Sequence, residues 1–156
     1  MRIRATRRPG VTIIEGAIVY PVLLTLMLIL IVGAMGIFRY QQVASLARQG
    51  ARYASVHGYQ YSLDNKLPAA TPDDVRNYIV ANAVNMDTSP STLQVSVTWN
   101  TNNQMYHVVT VTDSTGFQTV QPVLNTVTVT VTYYWLPEAF LGGITMTSTS
   151  TVQMCY

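Results

Sequence analysis

An uncharged apolar segment near the N-terminus constrains the fold of this chain most. Gly16 to Phe38 reads GAIVYPVLLTLMLILIVGAMGIF, 23 residues without a charged side chain. A helix of about 20 apolar residues crosses the hydrocarbon core of a bilayer, which is about 30 Å thick. A secretory signal peptide would have a shorter apolar region, of about 7 to 15 residues, and a small-residue cleavage site after it. The segment therefore predicts a membrane-spanning helix, bounded at residues 11–38.

The basic residues are concentrated before this segment. Arg2, Arg4, Arg7 and Arg8 are four of the nine basic residues, and this bias predicts a cytoplasmic N-terminus and an exported C-terminal domain. Beyond Gly10 there are five basic and seven acidic residues. No basic stripe remains that could follow a phosphate backbone, so nucleic-acid binding is not expected.

Glu15 precedes the uncharged segment directly, and a carboxylate in a spanning helix costs up to a few kcal/mol unless it has a partner. Cleavage after Gly10 would give Val11 a new α-amino group, one helical turn before Glu15. In a bundle of such helices, the carboxylate of one subunit could neutralise the amine of another, which would remove two desolvation costs together. The alternative is an interfacial glutamate that the helix dipole favours at the start of the helix.

Five residues, Arg7, Arg8, Gly10, Val11 and Glu15, fit the processing site of the type IV pilin superfamily, although Pro9 departs from the common pattern. Members of that superfamily have a short basic leader, a glycine before the cut, and glutamate as the fifth residue of the mature chain. The sequence most resembles the TadE-like pseudopilins of the tight-adherence (Tad) pilus system. The resemblance continues through residues 41–58 and returns more weakly at residues 133–154.

This resemblance implies a minor pilin whose leader, residues 1–10, is removed by a prepilin peptidase before the subunit takes part in pilus assembly. The expected partners are that peptidase, other pilins and pseudopilins, the assembly platform and membrane lipid. The expected location is the bacterial cytoplasmic membrane, and the extracellular pilus after assembly. Pro21, Gly33 and Gly36 are predicted to lie where helices of neighbouring subunits pack closely. An uncleaved single-pass membrane protein, whose exported domain binds a ligand or partner, is the alternative.

The rest of the chain predicts an α+β fold. Residues 39–58 continue the helix with a thin apolar face: Val43, Leu46, Ala47, Gly50, Ala51 and Ala54. After a linker, Thr71 is the predicted N-cap of a second helix that runs to about Met86. From Ser91 onward apolar residues alternate with threonine or serine, which predicts an antiparallel sheet of about four strands. Residues 59–156 thus form the predicted exported α+β domain.

An aromatic and apolar group at the end of the predicted strand 125–135 is the candidate contact patch: Trp135, Leu136, Phe140 and Leu141. The alternation of the strand sends Tyr133 and Trp135 to the sheet core and Tyr134 outward. The turn after it is too apolar for an ordinary exposed loop. It either folds back on the amphipathic helix near Leu46 or contacts a partner subunit or the bilayer surface.

Residue patterns typical of catalysis are absent from the sequence. His57 and His107 are far apart, no metalloprotease, serine-hydrolase or phosphate-loop motif occurs, and the acidic residues lack calcium-loop spacing. Cys155 is the single cysteine, which rules out an internal disulfide and a cysteine-rich metal site. No enzymatic activity, cofactor or metal is expected.

Overall fold

The computed structural model describes residues 9–137 and 142–155, with side chains from residue 13 onward. The chain divides between Phe38 and Arg39 into two compact units. The first helix, α1, runs without interruption over Pro9–Val56. Shorter helices and antiparallel strands follow it, so the predicted α+β fold with a long N-terminal helix is confirmed.

The first unit consists of the apolar part of α1. Its large side chains are exposed, for example Tyr20 at 73%, Leu24 at 61% and Ile37 at 64%. The helix is long and apolar enough to cross a membrane. Side chains of this kind are stable when lipid or other apolar helices surround them, because exposing so much apolar surface to water is costly.

The second unit contains the hydrophobic core, in which every fully buried apolar side chain lies between Val43 and Met154. The last turns of α1 contribute the predicted thin face, whose members are all buried: Val43, Leu46, Ala47, Gly50, Ala51 and Ala54. Arg48 and Arg52 are exposed on the opposite side. A Cβ on Gly50 would lie 2.5 Å from Ile79 Cδ1 and 3.3 Å from Val129 Cγ1. The close packing of α1 at this point therefore depends on a residue without a side chain.

Two short helices follow α1, and both differ from the sequence prediction. The expected linker contains α2, Tyr59–Asn65, which ends at Lys66 in the left-handed region. Helix α3, Pro72–Asn82, ends four residues before the predicted Met86. Its start is as predicted, because Thr71 and Asp74 form a reciprocal capping box. Val75 and Ile79 face the core, while Tyr78 and Met86 are half-buried.

The predicted antiparallel strands are confirmed, and they are divided between two sheets. Five strands form two separate antiparallel sheets, one in the order β1-β4-β5 and one of β2-β3. Their bounds are Leu93–Trp99 for β1, Tyr106–Thr112 for β2, Gln118–Leu124 for β3, Thr126–Trp135 for β4 and Ile144–Gln153 for β5. The unpredicted strand, β3, reads QTVQPVL, which lacks regular alternation and contains a proline.

Strand β4 is the centre of the larger sheet. It pairs with β1 from Val127 opposite Trp99 to Tyr133 opposite Leu93, and along its whole length with β5. Four alternate side chains of β4 are buried, namely Val127, Val129, Val131 and Tyr133. Trp135 is half-buried on the same face, and Tyr134 is exposed, as predicted.

Asn125, the residue between β3 and β4, is fully buried and joins the hairpin to the larger sheet. Its Nδ2 donates to Asn102 Oδ1 at 2.8 Å and to Gln104 O at 2.9 Å. Its Oδ1 lies 2.7 Å from His107 Nδ1. Its backbone N–H donates to Met105 O, and its carbonyl accepts from Met154 N–H. A single amide thus fixes the base of the β2–β3 hairpin.

Candidate processing and packing site

The predicted cleavage position lies in the first turn of α1. The helix begins at Pro9, so the backbone of Gly10 and Val11 is helical. Proline suits the first helical position, because its missing N–H would have no partner there. Arg7 and Arg8, together with the side chain of Val11, lie outside the described residues. The end of a helix frays easily, so this bond is at the least stable part of α1.

Glu15 lies one turn after Val11 and has an exposed side chain. It is the only charged residue between Ile13 and Phe38. The Tyr20 ring packs against Gly16, the residue after Glu15, where an added Cβ would lie 3.0 Å from Tyr20 Cε2. The carboxylate is therefore presented at the surface of a helix that is otherwise covered by apolar side chains.

Pro21 occupies the interior of α1, and the helix continues through it. Proline cannot donate to the carbonyl one turn before it, which weakens the helix locally. Thr25 Oγ1 donates to Pro21 O at 2.8 Å. The carbonyl that lacks a helical donor is that of Ala17, four residues before Pro21, so the Thr25 bond supports the turn after the proline and not the orphaned group. Pro21 is thus accommodated within a continuous helix.

Gly33 and Gly36 are three residues apart and therefore share one side of α1. A Cβ on Gly33 would meet no atom within 4 Å, so this side is open in the described chain. Small residues at such spacing allow a second helix to approach closely in a membrane. Their predicted role in subunit packing is compatible with this geometry and stays a prediction.

The predicted contact patch is described only in part. Leu136 is 64% exposed and Trp135 is half-buried, whereas Phe140 and Leu141 lie outside the described residues. After the gap, Gly143 packs so closely against the Tyr134 ring that no side chain would fit between them. The choice between a fold-back on α1 and a partner contact stays open.

The acidic loop residues serve local structure. Hydrogen bonds from the Thr115 side chain and from the Thr115 and Phe117 backbone lower the pKa of Asp113 in the hairpin turn. The Ser89 backbone and the Thr92 and Ser89 side chains likewise lower the pKa of Asp87. Among residues 9–137 and 142–155, no group of three potential metal ligands comes together.

The residues that sequence reasoning missed are Asn125 with His107, and the contact of Gly50 with Ile79. A lone asparagine between two strand-like segments was the available signal for the first. The second depends on which elements meet in space, and no local pattern reports that.

Comparison with known families identifies the N-terminal part of the chain. The family model of TadE-like proteins matches residues 10–52. This segment is similar to TadE-like proteins. The matched range begins at Gly10, contains Glu15 and the apolar part of α1, and ends within the helical extension. The weaker resemblance at residues 133–154 lies outside it. No curated protein and no solved structure matches the chain.

The TadE-like match covers the part of α1 that is long and apolar enough to cross a membrane. Together with the exposed apolar surface of α1, it indicates membrane anchoring.

Proposed function

We propose that this chain is a non-catalytic minor pilin of the Tad system. A prepilin peptidase removes residues 1–10, and the mature subunit, which begins at Val11, takes part in pilus assembly. The observation that carries the proposal is that the TadE-like match begins at Gly10 and contains Glu15, one helical turn after Val11.

The position of Gly10 supports cleavage. A peptidase must hold its substrate in an extended form, and the second residue of a 48-residue helix can be unwound without disturbing the remaining turns. Glycine also allows the backbone to approach a protease closely, because no Cβ intervenes. Four arginines before the helix would keep the leader on the cytoplasmic side.

The exposure of Glu15 supports a role between subunits. A carboxylate in the apolar part of a membrane helix costs roughly 3 kcal/mol at the bilayer centre and less near the interface. The amine that cleavage creates on Val11 carries the opposite charge. Pairing the Glu15 carboxylate with that amine on a neighbouring subunit would neutralise both groups, and only the cleaved form can make this contact.

Intact-mass measurement of the membrane-extracted protein tests the cleavage. We expect wild type to lack Met1 to Gly10, and Gly10→Leu to retain them because the bulky side chain obstructs the peptidase. Gly33→Leu, the same substitution within the membrane segment, should be processed normally. Full-length wild-type protein in cells that contain an active prepilin peptidase would instead favour an uncleaved membrane protein with a binding domain.

A second measurement separates cleavage from assembly. Glu15→Gln keeps the size of the side chain and removes its charge. We expect normal cleavage of this variant and its loss from purified pili, quantified by mass spectrometry against wild type. Incorporation at the wild-type ratio would refute the pairing of Glu15 with the Val11 amine.

A further inference from the structure

The hydrogen-bond pattern of β4 determines which backbone groups of β5 remain open. Tyr134 N–H donates to Thr92 O next to β1, and Asn125 O accepts from Met154 N–H at the end of β5. Successive residues of a strand direct these groups to opposite sides. Even-numbered residues of β4 therefore bond to β1, and odd-numbered residues bond to β5.

The same alternation applies along β5, whose even-numbered residues bond to β4. Its odd-numbered residues direct their N–H and C=O groups away from the sheet, and their side chains are exposed: Thr145, Thr147, Thr149, Thr151 and Gln153. Within the described ranges, no strand pairs with this side of β5. The open edge ends after Gln153, because Cys155 N–H donates to Ser55 O.

This edge lacks the features that usually prevent strands from pairing between molecules. Charged residues, prolines and bulges on edge strands discourage association. β5 has ten residues, contains neither a charged residue nor a proline, and pairs with β4 in an unbroken register. By contrast, β3 carries Pro122 opposite Val108, in a pair whose register directs the proline nitrogen outward.

The sequence of β5 is symmetric in polarity about Thr149. On the face towards the core, the residues at equal distances before and after Thr149 are similar in polarity. These pairs are Ser148 and Ser150, Met146 and Val152, and Ile144 and Met154. The outward-facing residues are threonines on both sides, followed by Thr145 and Gln153. Two such strands can therefore pair antiparallel about a two-fold axis through Thr149, perpendicular to the sheet. Each side chain then lies opposite one of similar polarity.

We propose that β5 pairs antiparallel with β5 of a second copy of this chain, with Thr149 on the two-fold axis. Five residue pairs, from Thr145 with Gln153 to Gln153 with Thr145, would then exchange backbone hydrogen bonds. An isologous interface requires a surface that is complementary to itself, and the polarity of β5 meets that requirement. An unrelated strand would have no reason to match this symmetry.

The contacts within one chain extend naturally across this axis. Threonine hydroxyls of β4 and β5 already pair on the outer face, Thr130 with Thr149 at 2.9 Å and Thr128 with Thr151 at 2.9 Å. In the dimer, the row continues through Thr149 of both copies. The dimer requires neither cleavage nor pilus assembly.

Disulfide trapping in the full chain tests the register. The background is Cys155→Ser, which removes the exposed native thiol. In the proposed register, Thr149→Cys meets itself, and Thr147→Cys meets Thr151→Cys. Paired residues of this kind have Cα atoms about 5.5 Å apart, which a disulfide can bridge. We expect Thr149→Cys to form linked dimers by itself. We expect Thr147→Cys and Thr151→Cys to form linked dimers only when the two variants are mixed.

The single Thr147→Cys and Thr151→Cys variants are the matched controls. In a dimer of either variant, the two introduced cysteines would lie four residues apart along the paired strands, too far apart to form a disulfide. Ser96→Cys, on the outer face of β1, tests association through the other edge of the sheet. Efficient linkage of Ser96→Cys, or linkage without dependence on register, would overturn the proposal. So would a failure of Thr149→Cys to link under mild oxidation in membranes.

Charge substitution at the axis gives an independent test. Thr149→Lys and Thr149→Glu each place like charges opposite each other, so two differently tagged copies of the same variant should co-purify at least several-fold less than wild type. A mixture of the two variants should recover co-purification. Thr130→Lys, on the neighbouring central strand and the same face, should have a weaker effect. Loss of co-purification without recovery in the mixture would identify a different partner strand and refute self-pairing.

Discussion

Replacing Gly50 by alanine tests whether the packing of α1 depends on the absence of a side chain at one position. The added Cβ would lie 2.5 Å from Ile79 Cδ1, 3.0 Å from Ile79 Cγ1 and 3.3 Å from Val129 Cγ1. Ile79 is fully buried, so its side chain must shift within the core to admit the added Cβ. Overpacking of a core by one methyl group costs about 1–3 kcal/mol.

The same substitution also has a favourable effect on the helix. Alanine is about 1 kcal/mol more stable than glycine in a helix interior. The expected net loss of unfolding free energy is therefore about 1 kcal/mol, which corresponds to roughly 4 °C in Tm for a unit of this size.

A double-mutant cycle with Ile79→Val isolates the contact. This change removes Cδ1, the atom closest to the added Cβ, and costs about 1 kcal/mol on its own. In the double variant the alanine methyl occupies the vacated space. We expect the double variant to be more stable than the sum of the single effects by about 1 kcal/mol.

Urea denaturation of residues 39–156, which contain the whole described core, provides the free energies. Additivity of the two substitutions within about 0.5 kcal/mol would refute the packing argument, because it would show that the Gly50 and Ile79 atoms do not compete for the same space. A stabilised Gly50→Ala single variant would lead to the same conclusion.

Three further predictions concern the second unit. Asn125→Ala should lower the unfolding free energy by about 2–4 kcal/mol, because Gln104 O, Asn102 and His107 each lose the buried Asn125 amide as a partner. Hydrogen exchange should accelerate most in β2 and β3. Unchanged exchange in these strands would contradict the role of Asn125. Gly143→Ala should lower Tm, since the added Cβ would overlap the Tyr134 ring, whereas Gly142→Ala tests only the positive backbone φ of 72°. The stability of the unit should fall in acid, because hydrogen bonds from the Thr71 side chain and backbone lower the pKa of Asp74 below its ordinary value of 3.8. A carboxyl group whose pKa is lowered in the folded state stabilises the fold at pH values above its unfolded pKa. That contribution is lost as the pH falls from about 4 through the lowered value. Asp74→Asn should flatten this part of the profile of stability against pH, and an unchanged profile would contradict the role of Asp74.

The elements that the sequence predicted are those with a strong local pattern. The membrane helix follows from 23 uncharged residues, and β4 from strict alternation of valine and threonine. Thr71 was found as an N-cap because the capping box is a local arrangement of four residues. The thin face of α1 was identified from helical spacing, and its burial confirmed the prediction.

The errors arose where pairing or tertiary contact determines the result. The pattern of β3 is irregular because all seven of its residues are exposed, so no core face imposes alternation. Division into two sheets depends on Asn125, which turns the chain from β3 into β4 with one residue and binds the loop before β2. A single asparagine between two strand-like segments indicates a turn, but which loop its side chain binds is known only from the fold.

The TadE-like match extends beyond the apolar part of α1 into the second unit. The matched range, residues 10–52, includes most of the thin face of α1 against which the sheet packs. Ile79 and Val129 supply branched apolar side chains at close distance to Gly50 on this face. The part of α1 that lies within the match and within the second unit is therefore constrained by tertiary contact as well as by its helical periodicity.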